Sequence, residues 1–154
     1  FSDVSEPSRK IRALWALHVT GHAGEWFLER QLDHPSEHIR WWAIRLLTTE
    51  GRVSAGLSAQ LARMSHQDES ALVRLALACA LQKLPFKDRW EIGEGLASHA
   101  DDSEDPSLPL MIWYGMEPAM ASNPVKALEF ARNSRIRKLR HFIIRRLAVE
   151  KGEK

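Results

Sequence analysis

The sequence predicts an all-α fold, a right-handed solenoid of about four helix pairs plus a leading helix. Three observations carry this expectation. Apolar residues recur at helical spacing: Ile39, Trp42, Ala43, Leu46 and Leu47 fall at i, i+3, i+4, i+7 and i+8, the pattern of a buried helical stripe. The stretch Asp33–Leu47, DHPSEHIRWWAIRLL, returns in outline at Asp68–Leu81, DESALVRLALACAL. Short and long helical segments alternate across short turns, with no convincing strand between them. Aligning Ile39-Arg40, Val73-Arg74, Leu108-Pro109 and Leu139-Arg140 gives steps of 34, 35 and 31 residues. Ile11-Arg12, 28 residues before Ile39-Arg40, fits as the second helix of an earlier, incomplete pair.

The elements follow in order. Residues 1–7 form a polar lead-in. Ser8 is positioned to cap a helix running to about Val19, with Ile11, Leu14, Trp15 and Leu17 apolar and Gly21 as its stop. Gly24–Leu32 is a short helix with Phe27, Leu28 and Leu32 inward, broken at His34-Pro35 because the residue before proline is pushed out of the helical region. Ser36 is expected to cap the next helix, which Gly51 closes. Ser54–Met64 is again short, with Leu57, Leu61 and Met64 inward. The helix carrying Val73, Ala76, Leu77, Ala80, Leu81 and Leu84 is slim enough to be covered on several sides. Pro85 opens a helix with Trp90, Ile92 and Leu96, and the segment SHADDSEDPSLP reads as a surface loop. Leu110–Met116 is helical and is expected to be limited by Pro118. Asn123-Pro124 is a cap followed by proline at the first helical position, so a helix covers Val125–Arg132. The last helix runs from Ile136 to about Val149, with Ile136, Leu139, Ile143 and Leu147 inward.

Composition sets the outer bounds. A chain of 154 residues with 44% apolar and 27% charged residues is sufficient for one domain, residues 1–154, with a sizeable core. It opens on Phe1 rather than Met, so a fragment of a larger protein is expected. The net charge of +2 is too small to argue for nucleic acid by itself. Cys79, the single cysteine, lies in an apolar run and reads as a small core residue. No apolar stretch reaches the length of a membrane span, and no signal peptide is visible.

No catalytic set is found: there is no G-x-S-x-G, no phosphate-cradling glycine loop and no paired cysteine and histidine. His18/His22 and His34/His38 have ligand-like i, i+4 spacing, but Gly21 and Pro35 interrupt them and a zinc site needs three or four ligands. Neither a metal nor a cofactor is expected. Trp41 and Trp42 point about 100° apart on a helix, so Trp42 falls on the inner stripe and Trp41 is either core or contact surface. Trp113 is expected to fill the core, with Glu117 hydrogen-bonded at a kink. Charge is unevenly distributed. Glu91–Glu117 holds seven acidic residues and no Lys or Arg, whereas Arg132–Arg146 holds seven basic residues and no acid. The residues chosen for partner contact are Arg40, Trp41, Arg45, Arg137, Arg140 and Arg145, which should project from the second helices away from the inner stripe.

The phrase Asp-…-Ile/Val-Arg-x-x-Ala-x-x-x-Leu at Asp33–Leu47 and Asp68–Leu81 resembles the HEAT repeat. That resemblance implies a ladder between neighbouring repeats at Asp33, Arg40, Asp68 and Arg74. It implies an interruption at Pro109, which stands in the arginine position. The order RALWALHVTG, HIRWWAIRLL, LPFKDRW, LPLMIWYGMEP, RKLRHFIIRRL is also similar to the helical segment of large secreted membrane-bound-dehydrogenase proteins of planctomycete and verrucomicrobial type. There a β-propeller, HEAT repeats and a c-type cytochrome follow one another. The resemblance covers about Arg12 to Leu147 and implies a periplasmic or secreted setting. It also implies a non-enzymatic scaffold that binds protein or other modules of the parent chain. The redox modules are not in these residues. The alternative from another class is a nucleic-acid-binding domain, since HEAT-like DNA glycosylases resemble the architecture. Nucleic acid is disfavoured because the acidic segment would cancel much of the basic field.

Overall fold

The structure, a computed structural model, describes residues 6–152. These residues form nine α-helices and one 3-10 helix, with no strand among them. The helices are α1 (Glu6–Val19), α2 (Glu25–Gln31), α3 (Glu37–Leu47), α4 (Ala55–Gln67), α5 (Ala71–Leu81), α6 (Phe86–Ala97), α7 (Leu108–Ser122), α8 (Pro124–Asn133) and α9 (Arg137–Gly152). The fold is all-α.

Local chemistry sets the helix starts. Ser54 and Ser70 accept hydrogen bonds from the backbone N–H groups of Leu57 and Val73, and Asn123 from that of Lys126. Each satisfies one of the donors that a helix start leaves unpaired. Two expected caps are corrected. α1 begins at Glu6, so Ser8 lies inside its first turn. Ser36 precedes α3 without a capping side-chain bond; instead its own N–H donates to His34 Nδ1 across the turn.

The odd-numbered helices pack in series, α1 on α3, α3 on α5, α5 on α7 and α7 on α9. Among the even-numbered helices, α4 packs on α6 and α6 on α8. The pairs α2–α3, α4–α5, α6–α7 and α8–α9 are each closed by direct packing. Leu57, Leu61, Leu77, Leu81, Ile92 and Met116 are among the fully buried side chains of the core. In α3 the buried residues are Ile39, Ala43, Ile44 and Leu47, while Trp42 and Leu46 are half-buried. Ile44 was not on the expected stripe. A helix flanked by α1 on one side and α5 on the other buries a wider arc than a single stripe.

Gly51 and Gly115 are among the glycines that permit close approaches. Gly51 has φ +70°, and a Cβ there would lie 2.6 Å from the Lys83 carbonyl oxygen. Gly115 brings α7 against α5, where a Cβ would meet that of Leu81 at 2.4 Å.

Pro118 does not limit its helix: α7 continues to Ser122 with Pro118 inside it. The proline removes the hydrogen bond to the Tyr114 carbonyl, and Pro118 and Tyr114 both lie exposed. One residue on, the Gly115 carbonyl accepts a 2.6 Å hydrogen bond from Arg89 Nη1. The loop expected after α6 is also partly ordered, because Ala100–Glu104 forms the 3-10 helix and buries Asp102.

Candidate functional site

Two arginines in equivalent positions join consecutive pairs. Arg40, early in α3, donates through Nε and Nη2 to both carboxylate oxygens of Asp68, at 2.8 and 2.9 Å. Arg74, early in α5, does the same to Asp102 at 2.6 and 2.6 Å. The reach is 28 residues in both cases. Each arginine also uses Nη1 to hold a carbonyl six residues back, His34 for Arg40 and Asp68 for Arg74. Each guanidinium therefore binds its own turn and the next one together, in the bidentate geometry that strengthens such pairs. The Arg74–Asp102 pair is buried, and the hydrogen bond to Asp102 raises the Arg74 pKa above its ordinary value.

Asp102 was hidden from sequence reasoning inside the acidic loop. The signal was available: it lies 28 residues after Arg74, as Asp68 lies 28 after Arg40. Asp33 is exposed and forms no ion pair with another described residue. Pro109 stands where the next arginine would be. About two turns further along α7, Arg146 of α9 bonds Glu117 at 2.7 Å.

Arg89 was also overlooked. It is buried and donates to the carbonyls of Leu84, Gly115 and Gln82, so it closes the C-terminal end of α5 and ties it to α7. Burial lowers its pKa.

The aromatic candidates form a cluster. The Trp15 ring meets Trp42 edge-on at 4.5 Å, and Trp41 meets Trp42 at 4.7 Å and 90°. The Arg45 guanidinium lies over both α3 rings, 4.6 Å from Trp41 and 5.2 Å from Trp42. Edge-on pairs contribute about 0.5–1.5 kcal/mol and exposed cation–π contacts about 0.5–1 kcal/mol, so each contact favours this arrangement modestly. Trp41 and Trp42 are half-buried, Trp15 and Arg45 exposed. A related arrangement recurs on α7 and α9. Trp113 and Phe142 lie 5.6 Å apart, both half-buried, and with Arg145, Arg146 and Val149 line a groove of about 300 Å³.

The steps between second helices define two outward rows across α3, α5, α7 and α9. One is Trp41, Leu75, Leu110 and His141; the other is Arg45, Cys79, Tyr114 and Arg145. Every member is exposed or half-buried. The middle positions are Leu75, Leu110, Cys79 and Tyr114, and the ends are cationic or aromatic.

The six candidate contact residues thus divide. Trp41 and Arg45 lie together on this face, and Arg145 ends one of its rows. Arg137 and Arg140 are exposed on the same helix as Arg145. Arg40 is held on both sides, by Asp68 and by the carbonyls of His34 and Pro35, and so joins one pair to the next.

The histidine pairs fall at helix ends and turns. His22 Nδ1 pairs with Thr20 Oγ1, and His34 Nδ1 receives the Ser36 N–H. Among the described residues no group of three metal-ligating side chains is assembled. Cys79 is half-buried, and desolvation raises its pKa above the ordinary thiol value. Among the described residues no helix is long and apolar enough to cross a membrane. No family model, no curated protein and no solved structure matches the chain.

Proposed function

We propose that the chain is a HEAT-like, right-handed α-solenoid of about four helix pairs plus a leading helix, serving as a non-catalytic scaffold that binds protein. Its setting, on this reading, is a larger secreted redox protein of the membrane-bound-dehydrogenase type, whose modules it spaces or docks. The observation that carries the repeat reading is the pair of bridges Arg40–Asp68 and Arg74–Asp102, identical in reach and in backbone anchor. The binding reading is supported by the outward rows, where Arg45 lies over Trp41 and Trp42. Trp and Arg are the residue types enriched at energetic centres of protein interfaces.

A nucleic-acid reading is favoured by one observation, the exposed cations of α9. Against it, Arg45 is stacked on the tryptophans, and Glu117, the carboxylate near the α7–α9 groove, is bonded to Arg146. The test is fluorescence anisotropy with a short DNA duplex at low and moderate salt. The scaffold reading expects a flat signal at both. Tight binding that weakens steeply with salt, the signature of several phosphate contacts, would overturn it in favour of nucleic acid.

A further inference from the structure

The face that α3, α5, α7 and α9 turn outward carries bases and apolar groups but no acid. Two of its rows run from Trp41 to His141 and from Arg45 to Arg145. The rows one turn before and one turn after them begin at His38 and Thr49 and end at Lys138 and Val149. Every position in the four rows is exposed or half-buried, and none is Asp or Glu. The chain has 20 acids against 22 Lys and Arg, so this is segregation and not a shortage of acids. Exposed acids stand instead on the even-numbered helices, Glu91 and Glu94 on α6 and Glu129 on α8. Glu37, Asp105 and Glu117 lie close to the four rows in sequence, and each is already engaged. Glu37 accepts from the Ser70 hydroxyl, Asp105 from the N–H groups of Ser107 and Leu108, and Glu117 from Arg146.

The apolar part of this face lies in its middle. α5 and α7 each have odd-numbered neighbours on both sides. Even so, Leu110 is 38% and Tyr114 57% exposed, with Leu75 and Cys79 half-buried in the same rows. Their openness therefore does not depend on where the chain begins or ends. His38 and Arg45 flank this centre on α3, and Lys138, His141 and Arg145 flank it on α9. Packed helices lie about 8–10 Å apart, so three steps separate the two sets of bases by roughly 25–30 Å. That is the span of about eight residues of extended chain.

This pattern decides the occupant. A nucleic acid strand needs bases along its whole track, and here Leu75 and Leu110 interrupt them. A second copy meeting through the same face would set Arg45 and Arg145 against cations. The flat plane of a membrane matches poorly a centre where two of four positions are half-buried. The acidic stretch of the chain itself, residues 91–117, is folded into α6, the 3-10 helix and α7, with Asp102 held by Arg74. A peptide segment with carboxylates on either side of an apolar middle complements both the charge and the apolar centre.

We propose that the outward face of α3, α5, α7 and α9 docks a segment of a partner protein that carries acidic residues on both sides of an apolar centre. This rests on the scaffold reading above and names the partner's chemistry.

The probe is a phage-displayed library of random peptides about 16 residues long, twice the span between the bases. It is selected on the full, immobilised chain. Enriched peptides should carry Asp or Glu on both sides of Leu, Phe or Trp. Fluorescence anisotropy of an enriched peptide should show Kd rising about tenfold or more in the double variant Arg45→Glu, Arg145→Glu. Leu110→Ser with Tyr114→Ser should weaken it by about as much, and Arg132→Glu, on α8, by less than about twofold. Circular dichroism checks that each variant is folded. A selection without enrichment, enriched peptides without acids, or an equal loss from Arg132→Glu overturns the proposal. Self-association of the chain that the double arginine reversal abolishes would put a second copy on the face and also overturns it. Cosedimentation with phosphatidylserine–phosphatidylcholine vesicles, lost in the same variant, would assign the face to lipid with the same consequence. If photo-crosslinking at Tyr114 captures a protein while the enriched peptides lack acids, this inference fails and the scaffold reading stands.

Discussion

Removing the Arg74 guanidinium without removing its partner is the severest single test of how the pairs are joined. Arg74→Met keeps much of the side-chain volume and deletes three hydrogen bonds, two to Asp102 at 2.6 Å and one to the Asp68 carbonyl at 2.9 Å. It leaves Asp102 buried without its cation, and Asp102 is only 4% exposed. Breaking a buried pair from one side costs about 3–5 kcal/mol, because the remaining charge cannot recover its water. For a chain of this length that lowers Tm by on the order of 10 °C. Arg40→Met should cost less, about 1–3 kcal/mol, since its pair sits nearer the rim at 17% and 8% side-chain exposure. Asp102→Leu added to Arg74→Met should recover much of the loss, because an apolar pair carries no desolvation penalty. The assay is urea and thermal unfolding followed by circular dichroism, arranged as a double-mutant cycle. A loss under about 1 kcal/mol for Arg74→Met, or additive effects in the cycle, would refute the claim that this bridge clamps one pair to the next.

Three further outcomes are expected. Gly115→Ala should destabilise by about 1–3 kcal/mol in the same unfolding assay, because its Cβ meets Leu81 at 2.4 Å and forces α7 off α5. Asp105 accepts the N–H groups of Leu108 and Ser107 at the start of α7, and these bonds hold its pKa below the ordinary carboxylate value. Its stabilising contribution is therefore full above the unfolded pKa of about 4 and is lost as pH falls through the lower folded pKa. Asp105→Ala should cost about 1 kcal/mol at neutral pH and progressively less in acid, read by unfolding at a series of pH values. The Cys79 thiol, half-buried with its pKa raised by desolvation, should react with iodoacetamide more slowly than free cysteine at neutral pH and accelerate on unfolding.

The helices were legible in the sequence because apolar spacing and turn residues agreed. Of the expected caps only Asn123 holds; Ser54 and Ser70 cap helices where no cap was expected. Where only one signal spoke, the reading slipped. Pro118 looked like a stop, since proline cannot donate; α7 passes through it, and the residues on both sides of the lost bond lie on the exposed side. Ile44 fell outside a stripe drawn for one neighbour, whereas α3 has odd-helix neighbours on two sides. Arg40, off the core stripe, reads from helical phase alone as projecting, and its bridge to Asp68 is not visible there. Its carboxylate partner lies 28 residues away, beyond local pattern. Asp102 was lost among the acids of its loop for the same reason. The Trp41–Arg45 surface was half legible. Helical phase gave the direction of Trp41, but the stacking of Arg45 over both indoles and the arrival of Trp15 from α1 depend on how α1 packs against α3.

The outward face of the odd-numbered helices is the center of the proposed function, and site-specific photo-crosslinking addresses it most directly. A benzophenone amino acid is placed at Tyr114, in the middle of that face, or at Glu91, exposed on α6. The chain is then irradiated with an extract of its source cells. A protein-binding face predicts a discrete protein adduct from Tyr114, none from Glu91, and loss of the Tyr114 adduct when Arg45→Glu and Arg145→Glu are introduced. Equal adducts from both positions, or an adduct sensitive to nuclease, would contradict it.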